Sequence, residues 1–170
     1  MRKTLILILF LLSLVFLSSC YRDNKFAYIE SILVYVNDEL VEGSYVYFDG
    51  NSLKDYAGKK RTKEHIYYKV DIDGWENNIK VVFNVYSENE VSTFKVRKSF
   101  NDTTNYSSIF FEEEDITKEG NIYKFSYEFA LSHTFNMITL TSYMSDGIKY
   151  YNVKRGKLYT LFGVYLNVKA

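Results

Sequence analysis

Apolar and polar side chains alternate along most of the chain beyond residue 27. Three apolar sets have a clear period of two: Ile66, Tyr68, Val70 and Ile72; Ile79, Val81, Phe83 and Val85; and Tyr123, Phe125, Tyr127 and Phe129. Successive side chains of a β-strand point to opposite faces, so each set predicts a strand with one buried face. Helical spacing is not sustained anywhere after residue 27, and the chain is therefore predicted to be all-β.

Residues that tolerate turn conformations separate the alternating segments. The candidate two-residue turns are Asn37-Asp38, Asp49-Gly50, Asp73-Gly74, Asp146-Gly147 and Arg155-Gly156. The pattern predicts strands at 27–36, 40–48, 65–72, 79–86, 91–97, 108–112, 121–129, 136–144, 148–153 and 158–168. It predicts longer loops at 51–64, 98–107 and 113–120. The last strand is apolar on both faces, which indicates a central position in a sheet.

Nine or ten short strands in one domain, residues 27–170, favour an antiparallel β-sandwich, with an immunoglobulin-like arrangement as the first expectation. A lipocalin-like β-barrel has a similar size and strand count, and it stays open as the alternative. The Cys-Trp-Cys framework of antibody domains is missing, but its absence does not exclude the wider class of sandwiches.

The first twenty residues follow a different pattern. Arg2 and Lys3 precede an apolar run, and this run ends in Leu17-Ser18-Ser19-Cys20. A basic start, a short apolar stretch and small residues before a cleavage site are typical of a secretory signal peptide. The four residues that close it resemble the lipobox of bacterial lipoproteins. The resemblance implies a signal peptide over 1–19, cleavage between Ser19 and Cys20, a diacylglyceryl group on the Cys20 thiol and an acyl group on the new amino group of Cys20.

An ordinary transmembrane anchor is the alternative for this segment, but only about fourteen residues separate Lys3 from Ser18, whereas a spanning helix needs roughly 20. Acyl chains on Cys20 would hold the protein on a membrane without such a helix. Membrane lipid is therefore one expected partner, and the cell envelope is the expected location. Residues 20–26 are expected to form a short tether between the lipid and the domain. Tyr21 stands where enteric lipoproteins kept at the inner membrane carry aspartate, which favours the outer membrane or cell surface where one exists.

Composition narrows the expected partners. Loss of Arg2 and Lys3 with the signal peptide leaves two fewer cations than acids, and a weakly acidic chain has no bulk attraction for nucleic acid. Cys20 is the only cysteine, so the chain cannot form an internal disulfide. The 17 tyrosines and the absence of proline fit an AT-rich codon bias, with a tyrosine-lined binding surface as the alternative.

Catalytic and metal-binding motifs were sought among the polar residues. His65 and His133 have no cysteine or carboxylate at the spacing of zinc ligands. The chain has neither a Gly-x-Ser-x-Gly motif nor a Gly-rich phosphate loop. The acidic run at 112–115 could offer oxygens to calcium, but a solvated strand end is the favoured interpretation. We therefore expect no catalytic residue, no metal and no cofactor.

One basic cluster is a candidate for contact with the membrane. It consists of Lys59, Lys60, Arg61 and Lys63. A solvated loop is the simpler interpretation. The alternative is a membrane-facing loop, because the five residues from Tyr21 to Lys25 reach at most roughly 17–18 Å and keep the domain close to the bilayer.

An aromatic group is the candidate for ligand binding. Trp75 follows the predicted Asp73-Gly74 turn, and Tyr67 and Tyr68 lie on the preceding predicted strand. A tryptophan on a turn can be a stacking platform for a sugar ring or an anchor for a protein partner. It can equally fold back over the edge of the core, and this packing interpretation is favoured.

These observations predict a lipid-anchored lipoprotein of the cell envelope that acts as a non-catalytic binding or interaction module for an envelope protein or glycan. An enzyme acting on envelope glycans and a lipocalin-type carrier of a small apolar ligand are the alternatives. Carboxylates gathered in a cleft would favour the enzyme, an open interior the carrier, and a filled core the binding module.

Overall fold

The computed structural model describes residues 27–49, 52–57, 65–101, 106–145, 147–151 and 161–169. The predicted signal peptide, Cys20 and its tether lie outside the described residues, as does the basic cluster Lys59, Lys60, Arg61 and Lys63. Within the described part of the chain, no helix is long and apolar enough to cross a membrane.

Thirteen strands and one 3₁₀ turn make up the described regular structure. The strands are β1 (Ala27–Val36), β2 (Glu39–Val41), β3 (Ser44–Asp49), β4 (Ser52–Asp55), β5 (Ile66–Asp73), β6 (Asn78–Ser87), β7 (Thr93–Ser99), β8 (Tyr106–Phe111), β9 (Thr117–Glu119), β10 (Ile122–Ala130), β11 (Met137–Ser145), β12 (Ile148–Tyr151) and β13 (Leu161–Lys169). The 3₁₀ turn, Glu113–Asp115, lies between β8 and β9.

The strands form two sheets. The smaller sheet has five strands in the order β2-β1-β6-β10-β9. The larger sheet has eight, in the order β4-β3-β5-β13-β11-β7-β8, with β12 paired to β11. All described pairs are antiparallel except β5 and β13, which run parallel. Both sheets exceed the four- and three-stranded sheets of an immunoglobulin constant domain.

Aromatic rings fill the space between the sheets. Phe125 of the smaller sheet stacks on Phe83 of the same sheet, with ring centroids 5.1 Å apart. From the larger sheet, Phe94 and Phe111 each approach Phe125 to 4.7 Å. Phe83 and Phe94 are fully buried. The interior between the described strands is therefore a packed core, and neither sheet closes into a barrel among these residues.

The structure confirms the all-β sandwich and most of the predicted strands, including the central position of β13. Two short strands, β4 and β9, occupy segments that were predicted as loops. The segment predicted as one strand at 40–48 is interrupted at Gly43, where a Cβ would lie within 2.9 Å of the Tyr68 ring and closer still to the Lys69 carbonyl oxygen. This close approach requires glycine.

The predicted turns have mixed outcomes. Asn37 and Asp38 have φ values of 49° and 68° between β1 and β2, as a two-residue hairpin requires. Asp73-Gly74 is not a hairpin, because β5 and β6 belong to different sheets and the segment crosses between them. Gly50 and Asp146 lie outside the described residues, although antiparallel pairs flank both turns. Arg155-Gly156 also lies outside.

Candidate binding surface

Trp75 lies in the crossing between the two sheets, after β5. Its ring packs against the core and is half-buried. The indole lies 4.0 Å from the His133 ring, at an interplanar angle of 36°. His133 is exposed in the connection between β10 and β11. The structure therefore gives Trp75 a packing contact while leaving part of the ring accessible.

Hydrogen bonds hold the backbone around Trp75. The Asn77 side-chain amide donates to the carbonyl oxygens of Asp73 and Gly74, at 3.0 and 3.1 Å. Asn37, from the β1–β2 turn, donates its own amide to Asn77 Oδ1 at 2.8 Å. These hydrogen bonds link two connections from different parts of the chain and support the backbone on either side of Trp75.

Tyr67 and Tyr68 do not join Trp75 in one platform. They point to opposite faces of β5, as neighbouring strand residues must. Tyr67 is only 2% exposed, in a small apolar cluster with Val46 and Met137 on the outer face of the larger sheet. Tyr68 is half-buried on the opposite face, and its hydroxyl accepts a hydrogen bond from the Gly43 N–H at 2.7 Å.

The histidines and the acidic run show no metal-binding geometry. His65 is exposed just before β5, with its ring stacked 3.7 Å from Phe162. The carboxylates of the run over residues 112–115 are exposed around the 3₁₀ turn. Among the described residues, no group of three or more His, Cys, Asp or Glu side chains could hold a metal ion.

The outer face of the larger sheet carries a surface that the sequence analysis missed. Tyr106 and Phe110 of β8 are 57% and 54% exposed, and Met144 of β11 is 39% exposed. Strand register places cationic side chains of β7 on the same face, because Lys95 pairs with Phe110 and Arg97 with Ser108. We name this surface the cation–aromatic face; its members are Lys95, Arg97, Tyr106, Phe110, Met144 and Lys149.

Each exposed ring of this face lies against a cation. Lys95 Nζ is 5.5 Å from the Phe110 centroid. The Arg97 guanidinium carbon is 4.8 Å from the Tyr106 centroid. Both distances are within the range of cation–π attraction, about 6 Å. At an exposed site each such contact contributes about 0.5–1 kcal/mol, which favours conformations that keep the cation beside the ring.

A shallow hollow of about 160 Å³ opens in this face between Lys95, Phe110, Met144 and Lys149. Its walls are mainly apolar and its rim is cationic. An acid lies close by, since Thr93 at the same end donates its hydroxyl to Glu112 at 2.7 Å. The net effect is a locally basic, apolar surface on a chain whose formal net charge is zero.

A larger and more polar groove, about 540 Å³, lies on the outer face of the smaller sheet. The carboxylates of Asp38, Asp115 and Glu119 line it, together with the side chains of Lys80 and Lys124. All three acids are exposed. A carboxyl group that donates a proton near neutral pH is normally kept protonated by burial. The groove therefore lacks the environment expected of a pair of catalytic carboxyls.

Comparison with protein-family models, with curated proteins and with solved structures gives no match to this chain. Geometry and chemistry of the described surfaces are therefore the basis for a functional proposal. The cation–aromatic face combines exposed rings, adjacent cations and a hollow on one sheet.

Proposed function

We propose that this protein is a lipid-anchored, non-catalytic binding module of the cell envelope, and that its cation–aromatic face binds a negatively charged envelope glycan. The observation that carries the proposal is the pairing of two exposed rings with two cations on one sheet face. Loops are the usual sites of function on sandwich scaffolds, but a sheet face is a better match to an extended polymer.

The chemistry of the face suits such a ligand. The flat faces of Tyr106 and Phe110 can cover the C–H faces of sugar rings, as exposed aromatic side chains do. Lys95, Arg97 and Lys149 can approach the phosphate or carboxylate groups of the same polymer. Rings select a sugar backbone and cations select its charge, so both are needed for a charged glycan.

The packed core supports a binding module rather than a carrier. Phe83, Phe94, Phe111 and Phe125 occupy the space in which a lipocalin holds its ligand. The exposed carboxylates of the groove on the smaller sheet give little support to a glycan-cleaving enzyme. Among the alternatives open from the sequence, the module is the one that agrees with both observations.

Lipid on Cys20 is part of the same proposal. A tether that reaches at most roughly 17–18 Å would keep the domain beside the membrane, within reach of the polymers that cover it. The basic cluster at Lys59, Lys60, Arg61 and Lys63 stays a prediction for membrane contact, worth about 1 kcal/mol per cation near anionic head groups.

Binding to purified envelope glycan tests the proposal. We would measure co-sedimentation of the mature lipid-modified protein, in detergent, with glycan that carries phosphate or carboxylate groups and with neutral glycan. The double variant Tyr106→Ala/Phe110→Ala should bind the charged glycan at least about tenfold more weakly, since two rings at roughly 1 kcal/mol each exceed the 1.4 kcal/mol of one decade. Binding of the charged glycan by the protein without these substitutions should also weaken as the salt concentration increases.

Tyr45→Ala is the matched control. Tyr45 is a ring 45% exposed on β3, near the opposite end of the same sheet. Its loss should leave glycan binding unchanged. The proposal fails if the double variant binds charged glycan as well as the control does, or if neutral glycan is preferred.

A further inference from the structure

The four strands at the ends of the two strand orders differ in how they are protected, and β12, which among the described strands pairs only with β11, lies off these orders. A sheet edge exposes unpaired backbone groups, and proteins normally shorten such edges or place charges on them. Three of the ends are short and charged: β2 and β9 have three residues each and β4 has four. Their charged residues are Glu39 in β2, Lys118 and Glu119 in β9, and Lys54 and Asp55 in β4.

The fourth end, β8, has neither protection. It has six residues, Tyr-Ser-Ser-Ile-Phe-Phe, without a charged residue or a proline. Aromatic and β-branched residues favour extended structure, and an uncharged segment of this kind is prone to pair with another strand. Within the described residues, β7 is its only strand partner. Tyr106, Ser107 and Phe110 are all exposed.

Symmetry and the two exposed rings together select one register for pairing with a second copy. A two-fold axis perpendicular to the sheet makes the two strands antiparallel and keeps their outer faces on the same side, so facing residues share a face. When the axis lies midway between the two strands at the level of Ser108, Ser108 of one copy faces Ser108 of the second copy. The same axis places Tyr106 opposite Phe110 of the second copy, and Phe110 opposite its Tyr106. Both exposed rings then gain an aromatic cross-strand partner.

We propose that two copies of this chain pair antiparallel through β8, centred on Ser108, to give one continuous sheet. If the axis were at Ser107 or Ile109, one ring would lie opposite Ser108 and the other opposite a residue beyond β8. Only the axis at Ser108 gives both rings an aromatic partner. The pairing does not depend on the glycan proposal, although it would place two cation–aromatic faces side by side.

The paired strands are short, and their interface is smaller than those of stable dimers in dilute solution. Confinement on a shared membrane raises the effective concentration of the partners and favours such a weak contact. The test therefore uses the full chain, expressed and processed in its own membrane.

Cysteine cross-linking measures both the contact and its register. Residues that face their own copy across the axis lie about 4.5–5.5 Å apart at Cβ, so a shift of about 1 Å between the edge strands brings them within the 3.5–4.5 Å of a disulfide. Membranes with Ser108→Cys protein would be treated with copper phenanthroline, and dimers would be counted on a non-reducing gel. We expect at least tenfold more dimer than from Thr117→Cys, an exposed position on the charged edge β9. The protein with Cys20 as its only cysteine corrects for any cross-linking there.

Two further variants locate the axis. Ser107→Cys and Ile109→Cys should give less dimer than Ser108→Cys when each is present alone, but should cross-link to each other when the two are co-expressed. The proposal is overturned if Ser108→Cys gives no more dimer than Thr117→Cys. It is also overturned if the yield is equal at 107, 108 and 109, or if it is highest at another position.

Discussion

At the scale of single residues, close backbone approach places the strictest limits on substitution. Gly163 of β13 lies where a Cβ would be 2.7 Å from the Thr139 Cα and closer still to the Ile138 carbonyl oxygen. These atoms belong to the neighbouring strand β11, which cannot move without breaking its own pairing. A methyl group at this position has no space to occupy.

We therefore expect Gly163→Ala to lower the free energy of unfolding by about 2–3 kcal/mol, as overpacking of a core does. Urea unfolding of the mature protein would measure the change. Gly147→Ala provides the contrast, because Gly147 has φ 72° but nothing within 4 Å of a Cβ. Gly147→Ala should lower the free energy of unfolding only by the cost of placing alanine at a positive φ, about 1–2 kcal/mol. A Gly163→Ala variant as stable as the parent would show that β13 and β11 are not so closely paired.

Trp75 has two alternative roles: its ring can stabilise the fold by packing, or it can bind a ligand. Its half-buried ring contacts the core and the His133 ring, and hydrogen bonds hold its backbone. We expect Trp75→Ala to lower Tm by several degrees, since 1 kcal/mol is about 2–4 °C for a domain of this size. Glycan binding by the folded fraction should not change. The opposite result, an unchanged Tm with binding at least tenfold weaker, would make Trp75 the ligand anchor.

At the scale of elements, the sequence predicted those strands that have one buried face. β6 and β10 were predicted within one residue at each end because their apolar positions alternate. β9 is exposed at all three positions and β4 is mostly exposed, so neither has an alternating pattern to detect. Sheet membership was not predictable locally. Asp73-Gly74 indicates a turn, but it does not indicate which sheet the next strand joins.

The cation–aromatic face was missed for a related reason. Alternation along Phe94-Lys95-Val96-Arg97 predicts that the two cations share one exposed face of β7. Nothing local predicts that Phe110 and Tyr106 lie beside them, because that depends on the register of β7 against β8. The loop predicted over 98–107 connects the two strands, but a loop of this length does not determine how they align. Trp75, in contrast, became a candidate for ligand binding from its position after the Asp73-Gly74 turn, which needs no knowledge of strand register.

The parallel pair of β5 and β13 has a side-chain link whose effect depends on pH. The Asn167 amide donates to Asp71 Oδ1, and Lys69 Nζ lies 3.3 Å from the same oxygen. The pKa of Asp71 is lowered from its ordinary value of 3.8, and the hydrogen bond from Asn167 is the largest cause. Desolvation opposes this effect, while the hydrogen bond and charge of Lys69 and the charge of Lys169 add to it. These partners favour the ionised carboxylate in the folded chain, so they stabilise the pair while Asp71 is charged.

A lowered folded pKa means that this stabilisation is complete above the unfolded value, near 4, and is lost as pH falls through the lowered pKa. The free energy of unfolding should therefore decrease on acidification from pH 5 to 2, with a smaller decrease in Asp71→Asn. The difference should be modest, because Asp71 is 44% exposed and solvent screens its charges. Asp73→Asn, at the end of the same strand, is the control. Parallel acid profiles for the parent and Asp71→Asn would contradict the assignment.

At the scale of the whole molecule, the filled core is the reason that the functional proposal concerns the surface. Between the described strands the two sheets enclose aromatic rings, and their outer faces carry the cation–aromatic face on one side and a polar groove on the other. A binding module of this kind would act where it is attached, so the proposed attachment through Cys20 matters as much to the proposed function as any side chain of the domain.

Attachment rests on the Leu17-Ser18-Ser19-Cys20 motif, which lies outside the described residues and stays a prediction. Mass spectrometry of membrane-extracted protein should show a mature chain that starts at acylated Cys20. Cys20→Ser should lose both the acyl mass and stable membrane retention, because two or three acyl chains hold firmly where one holds only marginally. Ser19→Ala keeps a small residue before the cut, so it should be processed and retained like the parent. A retained leader with an unmodified Cys20, or unchanged membrane retention of Cys20→Ser, would remove the anchor from the proposed function while leaving the cation–aromatic face to be tested on its own.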